Sequence, residues 1–249
     1  MKGLLLALQF FTIIPVHKNL PMEKQQISVM YSLFPWIGAS IGAFASISLY
    51  FEWSTLMTGF TVVFLGILLS GGLHMDGFID TSDAFFSYKD RLKRLEILDD
   101  PRVGAFGVMA VVLLVIGKVI IVSEVLAAES FHGIFILLIP FFSRAILTML
   151  FGLTRSAKES GLAHFFKQKM NVNVVLLTTL CNFFIGLFLI GWFTDWLIAI
   201  TFATVLIVFI CLFRRWAWKN FGGITGDLLG ASVEVSEVVL WMTLLLLLS

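Results

Sequence analysis

The chain has 249 residues, of which 59% are hydrophobic and only 13% charged, and its net charge is +1. Soluble domains run at about 45–50% apolar and about 25% charged, and here the mean hydropathy is +0.99. These values exclude a disordered chain, a basic nucleic-acid-binding domain and an ordinary soluble globule. They predict an all-α polytopic helix bundle, one integral membrane domain over residues 1–249, with the lipid bilayer as a partner and no nucleic acid. Cys181 and Cys211 are the only cysteines. Both lie in apolar runs, which argues against a disulfide framework or a cysteine zinc site.

From the N-terminus, the apolar run Gly3–Ile14 stops at Pro15. It is shorter than the roughly 20 residues that cross a bilayer. The reading is an interfacial or re-entrant helix ended by Pro15. Spans are predicted at about 31–51, 55–73, 104–125, 131–150, 172–193 and 196–213. Pro35 and Gly38 in the first span suggest a kink. A last, short run begins near 236, which makes six spans, or seven if it crosses.

Fifteen of the 17 basic residues fall before the first span, in the long second and fourth connections, or after the sixth span. The intervening connections carry none. By the positive-inside rule, the N-terminus and the loops at about 74–103, 151–171 and 214–235 face the cytoplasm of a cell-membrane protein. Lys118 and Arg144 fall inside spans, where a charge needs a partner or a role. Lys118 suits either a structural charge pair or a site. Arg144, nearer the cytoplasmic end, is a candidate substrate contact facing the acidic loops.

Three segments carry chemistry. In His74-Met-Asp76-Gly-Phe-Ile-Asp80-Thr-Ser-Asp83, the carboxylates are spaced i, i+4, i+7 and share one helical face. Such a stack repels itself unless a cation neutralises it, and hard oxygen donors without thiolates suit Mg²⁺ or Mn²⁺ rather than zinc. The alternative, a solvated acidic face, fits poorly with the apolar neighbours Met75, Phe78, Ile79, Phe85 and Phe86. His74 joins this site only if Gly71-Gly72 breaks the helix; otherwise it is a packing histidine. The second segment, Asp100-Pro101-Arg102-Val-Gly104-Ala-Phe-Gly107, opens a span. Its free N–H groups suit an anion, and Arg102 can fork onto a phosphate. The third, Gly222-Gly-Ile-Thr225-Gly226-Asp227 through Gly230 to Glu234, sets glycines beside two carboxylates at i, i+7. It reads either as a phosphate approach or as close helix packing. Carboxylates, a divalent cation, arginines and glycine turns together point to phosphoryl transfer at a membrane face.

Leu6-Ala-Leu-Gln-Phe-Phe-Thr-Ile-Ile-Pro15, Phe34-Pro-Trp-Ile-Gly38, the segment from Gly71 to Ala84, Arg102-Val-Gly-Ala-Phe-Gly107 and Gly222-Gly-Ile-Thr-Gly-Asp-Leu-Leu-Gly-Ala231 resemble, in order, the motifs of the cobalamin synthase family. They cover nearly the whole chain. The resemblance implies a Mg²⁺-dependent membrane transferase that joins adenosylcobinamide-GDP to α-ribazole, or α-ribazole 5′-phosphate, and releases GMP. On that reading Asp76, Asp80 and Asp83 hold the metal and one of them, or His74, takes the hydroxyl proton. Arg102, Arg144, Thr225, Asp227 and Glu234 contact substrate. The runner-up is a CDP-alcohol phosphotransferase, but no Arg follows Asp76-Gly77 where that pattern places one. A transporter is the non-enzyme alternative, although its ionisable site would sit near mid-bilayer. An oligomer is compatible with the sequence, and no motif specifies one.

Overall fold

A computed structural model describes residues 2–249, and the described residues form helices and connecting turns. In chain order these are α1 (Lys2–Phe11), α2 (Lys24–Ala45), α3 (Thr55–Leu69), α4 (Leu73–Phe86), α5 (Arg91–Ile97), α6 (Ala105–Ala127), α7 (Ile134–Leu153), α8 (Gly161–Lys169), α9 (Val172–Phe193), α10 (Trp196–Phe221) and α11 (Gly226–Leu248). A 3-10 turn over Ser46–Tyr50 extends α2. Six helices are long and apolar enough to cross a membrane, and α3 with α4 makes a seventh unit bent by 90°.

Two expectations about boundaries change. α1 stops at Phe11, four residues before Pro15, with the Thr12 hydroxyl donating to the Leu8 carbonyl at 2.7 Å. α11 is a full span of 23 residues that begins at Gly226 rather than a short run from 236. Asp227, Glu234 and Glu237 dilute its hydropathy, which hid its first three turns.

The break between α3 and α4 follows from Gly71 and Gly72, both left-handed with φ of +66° and +70°. Glycine enters that region without steric penalty. α4 therefore starts afresh at Leu73 and runs across the ends of its neighbours. Its first half meets the first turn of α11 and its second half meets the N-terminus of α6. α2 runs unbroken through Pro35. Gly38 and Gly42 are spaced i, i+4 and press onto α7: a Cβ on either would stand 2.2 Å from the Pro140 or Ile136 carbonyl oxygen. Their role is close helix packing of the small-residue kind.

The basic segments gather at one end of the bundle, although the loop expected at about 214–235 is helical: Arg214, Arg215 and Lys219 lie on α10, and only residues 222–225 separate it from α11. The Arg155 carbonyl accepts from Ile224 N and Ala157 N donates to Ile224 O, each at 2.9 Å. Arg91 Nε donates to the Phe221 carbonyl at 2.9 Å, and Lys158 pairs with Asp99 at 2.7 Å. This end is the basic face of the bundle.

Deep in the bundle, Lys118 of α6 donates to Glu234 and Glu237 of α11, both at 2.7 Å. Arg144 of α7 pairs with Glu237 and donates to Ser143 Oγ at 3.0 Å. Two cations and two carboxylates thus cancel, about 12–20 Å inside the basic-face ends of their helices. Arg144 therefore stands away from the acidic loops it was expected to face, and Glu234, expected as a substrate contact, is paired with Lys118. The hydrocarbon surroundings supply the reason: a charge there needs an opposite charge more than it needs a substrate.

Two outcomes check this architecture. Glu237→Ala leaves Lys118 and Arg144 short of a counter-charge, and thermal unfolding in micelles should register a loss of about 3–5 kcal/mol. In vesicles of a Cys181→Ala/Cys211→Ala background, Lys89→Cys and Glu129→Cys should react with an impermeant maleimide from opposite sides. Labelling of both from one side contradicts the topology.

Candidate active site

At the basic face, α4 crosses the first turn of α11 at glycine distance. A Cβ on Gly77 would fall 2.7 Å from the Asp227 carbonyl oxygen and 2.9 Å from its Cα. A Cβ on Gly230 would meet the His74 backbone at 3.2 Å. The two helices can touch backbone to backbone only because both positions lack a side chain. This contact carries Asp76 and Asp227, 151 positions apart in the chain, to the wall of one cavity of about 350 Å³. Asp80 lies in the field of Asp76, Asp227 and Asp83. Within the described residues, neither Asp76 nor Asp80 makes a side-chain hydrogen bond or ion pair that would absorb this charge.

Thr225 caps α11. Its hydroxyl accepts from Leu228 N and donates to Asp227 Oδ2, both at 3.3 Å. His74 is buried on α4 and lines the same cavity, and its Nε2 has no hydrogen-bond partner. The glycine break before Leu73 is what lets it do so: it starts a new helix with the carboxylates rather than ending the old one.

Asp83 stands apart from the other carboxylates in what it binds. Its Oδ2 accepts from Gly104 N and its Oδ1 from Gly107 N, both at 2.8 Å. The α6 N-terminus expected to hold a phosphate is thus filled by the protein's own carboxylate, which satisfies two of its free N–H groups. Arg102 is equally engaged. Its guanidinium forks onto Asp100 at 2.9 and 2.6 Å and holds that exposed carboxyl down at about 2. Its side chain is 86% exposed and turned to solvent.

Opposite the carboxylates, the cavity is walled by the connection between α7 and α8 and by that helix: Ser156, Lys158, Ser160 and His164. Lys158 also donates to the Leu95 carbonyl at 2.9 Å. This wall is pinned by the bridge between Ser156 and Ile224. In the sequence Lys158 belongs to the basic loop at about 151–171, for which positive-inside bias and phosphate binding are equally good explanations. The pairing that brings it to the site is non-local, and no spacing announces it. Among the described residues no three His, Cys, Asp or Glu side chains converge as a finished metal site.

The family described as Cobalamin-5-phosphate synthase matches residues 3–245. Among relatives, the adenosylcobinamide-GDP ribazoletransferase of Geobacillus kaustophilus (strain HTA426) is 35% identical, over 98% of this chain and 95% of its own. Proteins of the same name from Clostridioides difficile (strain 630) and Clostridium tetani (strain Massachusetts / E88) are each 32% identical. They align over 96% and 94% of this chain and 95% and 92% of their own lengths. No solved structure matches the chain. A membrane-spanning helical bundle with this motif order and this full-length likeness belongs to the cobalamin-5-phosphate synthase family.

Proposed function

We propose that the chain joins adenosylcobinamide-GDP to α-ribazole, or to its 5′-phosphate, and releases GMP, at the cytoplasmic face of the cell membrane. The relatives' shared name supports the substrates, and the Lys/Arg bias supports the side. The observation that carries the mechanism is the Gly77–Gly230 crossing, which puts Asp76 and Asp227 on one cavity wall.

In the proposed reaction a ribose hydroxyl oxygen of α-ribazole bonds to the phosphorus on the corrinoid side of the diphosphate. The bond from that phosphorus to the GMP oxygen breaks, and GMP leaves with the electron pair. The donor set fits a hard divalent cation: carboxylates that repel one another and lack a basic partner. Asp76, Asp80 and Asp227 would hold Mg²⁺, with Asp83 bracing α6 beside them. When bound, Mg²⁺ supplies charge neutralisation for the diphosphate and the leaving group. His74, which lines the same cavity, would take the hydroxyl proton. Lys158 exchanges Asp99 for a diphosphate oxygen and so draws the anion against its wall. The diphosphate meets Lys158 rather than Arg102, because of the two only Lys158 lines the cavity.

GMP release from adenosylcobinamide-GDP by the vesicle-reconstituted chain tests this. Asp76→Asn, Asp80→Asn and Asp227→Asn should each lower kcat by about 10²–10³ with little change in Tm. Asp83→Asn should behave differently. It leaves one α6 N–H without its acceptor, so stability falls by about 1–3 kcal/mol. Lys158→Met should lower kcat/KM by about tenfold to a hundredfold, the worth of one charge-assisted hydrogen bond. CMP release from a CDP-linked lipid, or solute flux without nucleotide turnover, would contradict the proposal.

A further inference from the structure

The short N-terminal helix has no part in the proposed chemistry, yet it reaches the cavity that Asp76 and Asp227 line. α1 has 10 residues, about half of what a crossing needs. Its last two, Phe10 and Phe11, line the cavity together with Tyr31 of α2, Leu147 of α7 and Phe166 of α8. A run of rings joins this wall to the carboxylate end. Phe34 stands 5.8 Å from His74, Phe11 4.0 Å from Phe34, and Tyr31 5.9 Å from Phe11. Phe166 lies 6.1 Å from Tyr31, and Phe10 meets Phe166 edge to face at 5.2 Å and 90°. Neither of these last two rings is used up in a stack with the other.

We propose that this aromatic corner binds the flat base of the acceptor nucleoside, the benzimidazole of α-ribazole, with α1 as one of its walls. The inference rests on the proposed reaction. Three observations select that occupant. The cavity, of about 350 Å³, is of the size that encloses one small ligand, so it suits the acceptor and not the far larger corrinoid donor. Its aromatic and polar linings belong to one space. A base in the corner therefore leaves its ribose beside His74, Asp76 and Asp227, where the attacking hydroxyl is needed. The polar content of the corner also matches. Of Phe10, Phe11, Tyr31, Leu147 and Phe166, only Tyr31 has a polar side-chain atom. Among the described residues nothing hydrogen-bonds the Tyr31 hydroxyl, and its oxygen keeps surface that a ligand atom can reach. A glycosylated benzimidazole has one free ring nitrogen, an acceptor for that one donor. Guanine, the other base in the reaction, would bury an amide N–H and an amino group there without acceptors, which is costly. Contact with the aromatic rings holds the rest of the base.

Equilibrium dialysis of the full chain in micelles against radiolabelled α-ribazole, with Mg²⁺ present, tests this without turnover. Phe10→Leu and Phe166→Leu should each raise the Kd about tenfold, the worth of one base–ring contact. Tyr31→Phe should raise it about fivefold, the worth of one hydrogen bond. With the wild-type chain, the α-riboside of unsubstituted benzimidazole should displace the label. GMP and the α-riboside of guanine should need at least about tenfold higher concentrations. An α-ribazole Kd unchanged in all three variants overturns the proposal. So does displacement by GMP that weakens in Phe10→Leu, since the corner would then hold guanine. GMP release from adenosylcobinamide-GDP, measured in parallel, keeps the two readings apart. Release with α-ribazole affinities unchanged by the variants sinks the pocket and leaves the reaction standing. Variant-dependent binding without release sinks the reaction and leaves the pocket. Should Phe166→Leu fail to fold, the half-buried Phe10 and the wild-type competition decide.

Discussion

The backbone contact between α4 and α11 is the constraint on which the functional end of the molecule depends. Two helices that carry side chains at their crossing stand about 8–10 Å apart. Here Gly77 and Gly230 remove the side chains, and the Asp227 backbone comes within van der Waals reach of α4. Everything chemical at the basic face follows from that distance. Asp76 and Asp227 share a cavity, and Asp80 feels both charges. His74 is carried to the same wall. A methyl group at residue 77 would push the carboxylates apart before it altered any of them.

Bringing carboxylates together at a membrane boundary is unfavourable, and the structure handles its charges in two different ways. In the bundle interior, Lys118 and Arg144 cancel Glu234 and Glu237 internally. That cluster ties α6, α7 and α11 together, with only the Arg144 Nε left without a partner. At the basic face Asp76 and Asp80 receive no such cancellation, although Arg102 is near in sequence and Lys158 lines the same cavity. Arg102 is turned to Asp100, and Lys158 to Asp99. A set of carboxylates left uncompensated beside a lysine-bearing wall is the arrangement on which the proposed divalent cation and diphosphate rest.

Much of this was legible in the sequence, for identifiable reasons. The spans follow from hydropathy, and the alternation of basic and non-basic connections orders them. The triplet Asp76, Asp80, Asp83 announces a charged helix face through its spacing alone. Other features depend on contacts that spacing does not encode. Asp83 looks like its neighbours in sequence, yet the N-terminus of α6 lies across it and takes both its oxygens. Asp227 and Glu234 share a helix face at i, i+7, but that interval is about 10 Å of rise. It separates the surface cavity from the buried ion cluster. Arg144 and Glu237 find each other across 93 residues, and Lys158 reaches the site through a bridge between two loops.

A single cation held jointly by α4 and α11 is the central claim, and Mn²⁺ binding followed by electron paramagnetic resonance tests it without reference to turnover. The purified chain in micelles is titrated with Mn²⁺, and the free-ion signal is compared with that of the Asp80→Asn and Asp227→Asn variants. A shared site predicts depletion of free Mn²⁺ by the wild-type chain, reversed by Mg²⁺, and lost in both variants alike. Retention of wild-type binding by Asp227→Asn, with loss only in Asp80→Asn, would place the cation on α4 alone and contradict the shared site.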